Sequence, residues 1–220
     1  KACDIERSDR VRTVVKVEGV HTDGRREWLP FVVRLYFYQG SEQVKMVHTL
    51  LYDGDAEKDF ISGLGVRFDV PLRDEVYNRH VAFTNIEGGV WSEPVQPLVG
   101  RRVLSLNRQD MQQVQMRGER VPSLENFNGQ GQTLIREWAA WDGYRLSQLT
   151  ADAFSVRKRA TDDSPWIGTL SDHRGSGLAF IGDTQGGLAA CLHEFWQSYP
   201  STLEINGARS PMASLTLWLW

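Results

Sequence analysis

The sequence predicts an all-β fold: an antiparallel β-sandwich with at most short helical segments. Three observations carry this. Apolar residues recur with period two in one segment after another. Gly and Pro punctuate those segments at short intervals. Only one stretch shows helical spacing.

The elements follow in order. Val11 to Glu18 alternates, with Val11, Thr13, Val15 and Val17 on one face. Pro30 to Gln39 sets Val33, Leu35 and Phe37 against Arg34, Tyr36 and Tyr38. Gly40-Ser-Glu-Gln43 then turns the chain, and Val44 to Leu51 alternates again, which reads as a hairpin. If Gln39 pairs with Val44, Leu35 faces His48 and Phe37 faces Met46. His48 is then a core histidine on the apolar side. Further strands are expected at Val66–Val70, His80–Thr84, Arg101–Leu106, Tyr144–Leu149, Phe154–Arg159, Leu178–Gly182, Gly187–Phe195, Leu203–Ile205 and Ala213–Trp220. The helical candidate is Leu134, Ile135, Trp138 and Trp141, at i, i+1, i+4 and i+7. Between Asn107 and Gln132 the chain is polar, and a long surface excursion is expected there. The whole of 1–220 reads as one domain. Its strand-like ends, Arg10–Val17 and Leu215–Trp220, suggest a segment of a longer polypeptide.

Composition narrows the function. Apolar residues are 41% and charged residues 24%, which is globular and not disordered. A net charge of −3 gives no basic excess to release counterions from a polyphosphate, so nucleic acid is not the expected partner. No apolar run approaches the ~18 residues of a membrane helix. The N-terminus, Lys1-Ala-Cys-Asp-Ile-Glu-Arg, shows no signal-peptide apolar core. Eight Trp is the unusual count. Such rings stack on flat apolar faces and carry a polar handle. They suit a carbohydrate-facing protein, or a large core. Cys3 and Cys191 fit no metal or redox spacing, and whether they pair stays open.

Familiar catalytic signatures are absent: no P-loop, HExxH, GxSxG or EF-hand loop. Asp53-Gly-Asp55 lacks the later ligands of a calcium loop and reads as a turn. Gly63-Leu-Gly65 and Gly186-Gly187 read as turns or bulges. The polar run Tyr77-Asn78-Arg79-His80 is the strongest candidate site. On a strand, Asn78 and His80 share one face, Tyr77 and Arg79 the other. The run could supply a base, an acid and a carboxylate clamp, or a strand-end hydrogen-bond network. Arg157 and Arg159 point together and could bind carboxylates, or form an ion-paired face. Arg101-Arg102 carries the same ambiguity. Trp196 and Tyr199 could be a sugar-stacking platform or a staple of the sheet edge. His21, His173 and His193 have no ligand-spaced partner.

Several ordered blocks carry a resemblance. They are Pro30-Phe-Val-Val-Arg-Leu-Tyr-Phe-Tyr38, His48-Thr-Leu-Leu-Tyr-Asp-Gly-Asp55, Asp59-Phe-Ile-Ser-Gly-Leu-Gly65, Tyr77-Asn-Arg-His80, Glu93-Pro-Val-Gln-Pro-Leu98, Phe195-Trp-Gln-Ser-Tyr-Pro200 and Leu215-Thr-Leu-Trp-Leu-Trp220. Together with Gly187-Leu they resemble the exo-rhamnogalacturonan lyase family, also called YetA-like, of polysaccharide lyase family twenty-six. The resemblance runs along nearly the whole chain. It implies the central β-sandwich of a parent that also has an N-terminal barrel-like domain and a C-terminal α/α toroid. It also implies an acidic polysaccharide or oligosaccharide partner and an extracellular or periplasmic parent. Some pectin-degrading lyases use calcium, but no acidic cage is visible in this sequence, and no metal or cofactor is expected. The chemistry implied is β-elimination at a uronic acid of rhamnogalacturonan-type pectin. That reaction needs the carboxylate neutralised, a base for the C5 proton and an acid for the leaving oxygen. On those needs Arg79 or Asn78 is the neutraliser, His80 the base or carboxylate partner, and Tyr77 the acid. Arg101, Trp91, Trp196 and Tyr199 are further substrate contacts. Two other classes stay open. One is a structural or carbohydrate-contacting module, the toroid carrying the chemistry. The other is a mutarotase-like or hydrolytic sugar enzyme, which as a hydrolase needs two carboxylates about 5 to 10 Å apart. The isolated segment is expected to be a poor enzyme.

Overall fold

The computed structural model describes residues 2–219. The chain divides into two compact units, Lys1–Ser62 and Gly63–Trp220.

The first unit is one antiparallel sheet in the order β1-β2-β3-β4. Its strands are β1 (Ala2–Ser8), β2 (Arg12–Thr22), β3 (Glu27–Tyr38) and β4 (Val44–Leu50). β1 lay outside the expected strands because four of its seven residues are charged or hydroxylic. It pairs through Cys3↔Val17 and Ile5↔Val15. Period two segregates the faces. Val15, Val17, Val33, Leu35 and Met46 lie on one side. Arg34 lies on the other and grips the Glu6 carboxylate at 2.8 and 2.9 Å. The hairpin register differs from expectation by two residues: Val33 opposes His48 and Leu35 opposes Met46. Gln39 and Gly40 form the turn after Tyr38 ends β3; Gly40 adopts φ +74° and Ser41 N–H donates to the Tyr38 carbonyl. A slip of two keeps the face. His48 is therefore on the apolar side, half-buried, with its ring 6.2 Å from Phe31.

The second unit is a sandwich. Its larger sheet runs β12-β11-β10-β15-β16-β5 and its smaller sheet β14-β13-β6-β7. The strands are β5 (Gly65–Pro71), β6 (His80–Asn85), β7 (Val90–Pro94), β8 (Ser105–Leu106), β9 (Gln109–Asp110), β10 (Gly143–Thr150), β11 (Ala153–Arg159), β12 (Ile167–Asp172), β13 (Gly175–Asp183), β14 (Gly186–Cys191), β15 (Ser201–Asn206) and β16 (Met212–Trp218). All pairings are antiparallel. Inward residues of both sheets form one core: Val81, Phe83, Ala179 and Ile181 meet Tyr144, Leu146, Leu203, Ile205 and Leu215. β7 and β12 were not among the expected strands, and Arg101–Leu106 contributes only the two residues of β8. β14 stops at Cys191, and Phe195 sits in a turn. Trp220 lies outside the described residues. Cys3 and Cys191 are free thiols.

The polar stretch after Asn107 is a packed lobe, not a bare surface excursion. It holds helix α1 (Met111–Met116) and helix α2 (Gly129–Glu137), capped by the side chains of Asp110 and Asn128. Trp138 is the C-cap of α2, and Trp141 lies beyond it. A second apolar cluster fills the lobe: Leu98, Leu104, Met111, Val114, Val121, Phe127 and Ile135, joined by Tyr77. Its glutamines look polar in sequence but serve the interior. Gln115 is 2% exposed, accepts from Leu98 N–H at 2.9 Å, and donates to the carbonyls of Tyr77 and Gln96 at 2.6 and 3.0 Å.

Candidate functional site

The Tyr77–His80 run is not a strand. Val76–Asn78 is a single 3₁₀ turn, and only His80 enters β6. Tyr77, Asn78 and Arg79 are therefore buried, not alternating. The Tyr77 hydroxyl donates to the Pro122 carbonyl at 3.0 Å. Asn78 donates to the Val121 carbonyl and accepts from its N–H, both at 2.9 Å. Arg79 donates to the carbonyls of Asp74, Ala208 and Ser210 at 3.0, 2.9 and 2.7 Å. Burial pushes the Tyr77 phenol well up. It also pulls the Arg79 guanidinium down, against the opposing charges of Asp183, Glu75 and Asp74. These three side chains spend their polar atoms on backbone of the lobe and of the Ala208–Ser210 loop.

Asp74 is the hub beneath them. Its buried carboxylate accepts from Arg120 at 2.8 and 3.1 Å, from Asn78 at 3.3 Å, from Glu75 N–H at 2.9 Å, and from the Thr184 hydroxyl. Burial opposes its ionisation, but Arg120, Thr184, Glu75 N–H and Asn78 together hold it far below the usual carboxylate range. Asp183 accepts from the N–H groups of Arg73 and Asp74 at 2.6 and 2.9 Å.

His80 differs from its neighbours. It is half-buried and lines a groove of about 560 Å³ on the outer face of the smaller sheet. The floor is Ser92, Pro94, Phe180 and Gly182; the walls are Gln115–Gly118 at the end of α1 and Asp183–Thr184. Its volume is in the range of small-ligand sites. Burial lowers the His80 pKa below its ordinary value, with the carbonyls of Gln115 and Asn78 opposing. The imidazole is therefore neutral at neutral pH. In the same groove, the Phe180 ring reaches over two glycines. A Cβ on Gly182 would sit 2.6 Å from the ring, and one on Gly187 would sit 3.1 Å from it. Sequence reasoning missed this pair. The signal was Phe180-Ile-Gly182 facing Gly187 across a tight hairpin, which reads locally as turn chemistry only.

The remaining candidates lie elsewhere. Trp91 is half-buried, stacked on Phe83 at 5.9 Å and tilted on Tyr144 at 6.1 Å, so it caps the core. Its wall bounds a smaller cavity of about 270 Å³ with Leu146, Phe154 and Leu170. Arg101 is exposed in a bend of the lobe. Trp196 lies under the Arg174 guanidinium at 4.1 Å, and Tyr199 is exposed before the cis Pro200 bond. None of these four lines the His80 groove. Arg159 pairs with Asp162 at 2.5 Å, while Arg157 is exposed. Lys158, on the opposite face, turns inward to Glu93 at 2.6 Å. Asp53 accepts from Leu29 N–H at 2.7 Å, a residue 24 positions away. Among the described residues, no group of three or more His, Cys, Asp or Glu is arranged to hold a metal ion. No helix among them is long and apolar enough to cross a membrane.

Residues 1–220 match the family model described as "PcRGLX-like protein central beta sandwich domain". The chain belongs to that family. It is also 38% identical over 229 residues to the uncharacterized protein YetA of Bacillus subtilis (strain 168). That alignment takes in the whole of this chain but only 25% of the relative. The chain thus spans about a quarter of the curated relative it matches.

Proposed function

We propose that this chain is the central sandwich of a longer, multidomain polysaccharide lyase. The parent cleaves rhamnogalacturonan-type pectin outside the cell, by β-elimination at a uronic acid, and this chain supplies sugar contacts to the cleft. The observation that carries the reading is the groove lined by the half-buried His80 and the half-exposed ring of Phe180. It occurs in a chain that matches a lyase-like family from end to end. Aromatic faces bind the C–H faces of sugars, and a neutral imidazole exchanges hydrogen bonds with hydroxyls. Tyr77, Asn78 and Arg79 serve as scaffolding in this reading, because their polar atoms are already bound to backbone.

A second reading gives His80 the proton. A neutral imidazole at a groove can take the C5 proton if a neighbouring domain brings the neutralising cation. One experiment separates the two. The full-length protein is assayed on rhamnogalacturonan I by the ultraviolet absorbance of the unsaturated uronate. No unsaturated product at all overturns the lyase assignment. With His80→Ala, a raised KM at preserved kcat supports contact alone. A fall in kcat of about a hundredfold or more, with unchanged melting, gives His80 the proton-transfer role.

A further inference from the structure

We infer, resting on the multidomain half of that reading and not on its chemistry, that the apolar face of the first sheet seats a further layer of the parent polypeptide. The occupant is an uncharged, apolar face contributed by a segment outside residues 1–220.

The register sets the face. Ile5, Val15, Leu35 and Met46 stand in one row across all four strands, and Val17 and Val33 lie beside them in the next. From the Thr13↔Phe37 row to the Gly19↔Phe31 row this face carries no Asp, Glu, Lys or Arg. His48 stands on it too, and burial, with His21 adding, lowers its pKa, so it is neutral at neutral pH. Charges gather on the reverse. Asp4, Lys16 and Arg34 share one row there, and Lys16 pairs with Glu18 at 3.2 Å. This sorting belongs to a sheet that packs one face and wets the other.

The first unit has no second layer to pack there. Among the described residues its only strands or helices are the four of this sheet. Ile5, Phe37 and Val44 are 68%, 41% and 49% exposed, and Val15, Val33 and Leu35 are half-buried. Neither apolar cluster described above includes any of them. A single sheet layer cannot bury its own apolar face.

The size of the face decides what covers it. The edge strands β1 and β4 have 7 residues each. At ~3.4 Å per residue and ~4.8 Å between strands, the face measures about 24 by 19 Å, or about 450 Å². Covering it buries about 900 Å² in total, below the ~1,200 Å² at which separate chains form specific, stable complexes. That area falls inside the roughly 600–1,500 Å² found between domains of one chain. Covalent linkage makes up the difference, because a tethered partner acts at about millimolar effective concentration. A second copy of the chain lacks that help. The curated relative has room for such a segment, since this chain matches only 25% of it.

The test uses the full-length protein and reads no activity, so the lyase assignment can fail without touching it. In the first arm, hydrogen peroxide oxidises the native protein and mass spectrometry follows each methionine. Met116 and Met212, 70% and 53% exposed, are the references. Met46 should react about tenfold or more slowly than the faster of them; a rate within about threefold of it means an open face and overturns the inference. In the second arm, Phe37→benzoylphenylalanine keeps an aromatic ring on the face and cross-links under ultraviolet light. A cross-link to a peptide outside residues 1–220 of the same molecule supports the inference. A cross-link to residues 63–220 or to a second copy overturns it, and so does Met46 protection that fades on dilution. A parent with further domains whose cross-links fall elsewhere loses this seat alone. A polypeptide with no further domain loses the multidomain reading as well.

Discussion

Asp74→Ala should loosen the lobe that walls the groove. The Asp74 carboxylate is 1% exposed and accepts from Arg120, Asn78, Glu75 N–H and Thr184. The partners differ in what they lose. Arg120 is 55% exposed, so water replaces its pair at little cost. Asn78 keeps its two bonds to Val121. The cost falls on the Thr184 hydroxyl and the Glu75 amide, each left without its acceptor, at about 1–2 kcal/mol apiece. A total of about 2–4 kcal/mol corresponds to a fall in Tm of roughly 5–15 °C for a chain of this size. Calorimetric unfolding of the chain measures it. Amide hydrogen exchange at Val121 should rise before the core strands respond, because Asn78 is its anchor and Asp74 holds Asn78. The pH dependence follows from the direction of the Asp74 shift. Its native pKa is depressed, so its contribution is complete above the ordinary carboxylate value of about 4 and is lost as pH falls from there towards the native one. The variant should lack that part of the acid destabilisation. A fall in Tm below about 2 °C, or an acid limb identical to wild type, would refute the hub.

Other substitutions probe separate parts of the argument. Gln115→Ala strips partners from the Leu98 amide and the Tyr77 and Gln96 carbonyls and should cost about 3 kcal/mol or more by denaturant unfolding. Tyr77→Phe removes one bond to Pro122 and should cost only about 1 kcal/mol while KM and kcat of the full-length protein hold, whereas an acid role would cut kcat. Gly187→Ala drives a methyl to 2.5 Å from backbone atoms and should lower Tm by several degrees; an unchanged Tm would show that the hairpin can open. Glu93→Gln leaves the Lys158 ammonium, 13% exposed, without its counter-charge and should cost about 3 kcal/mol, read by the same calorimetry.

The fold was legible where one sheet face is buried. Val66–Val70, Tyr144–Leu149, Phe154–Arg159 and Leu203–Ile205 lie within the strands found, because alternate residues there enter one core. β1 and β12 escaped because their residues are almost all exposed, so no apolar period marks them. The lobe escaped because its interior polar groups are glutamines and asparagines paired to backbone, and such residues look like surface in sequence. The Tyr77–His80 run drew attention for the right property, its hydrogen-bonding density. Burial of that density depends on Val121, Pro122 and Ala208, which lie more than 40 residues away. Phe180 was missed because a single aromatic in a strand is ordinary until its neighbours across the sheet prove to be glycines.

The lobe is moored through main-chain atoms. Gln96, Asn78 and Gln115 reach carbonyls and amides of their partners, not their side chains. Such moorings are indifferent to which residues stand at the lobe's outer positions. Met116, Arg117 and Glu119 can therefore be rewritten while Gly118, at φ +70°, and the glycine-backed floor stay fixed. Evolution, or a library randomised over those three positions, can retune what the groove accepts without refolding the sandwich beneath it.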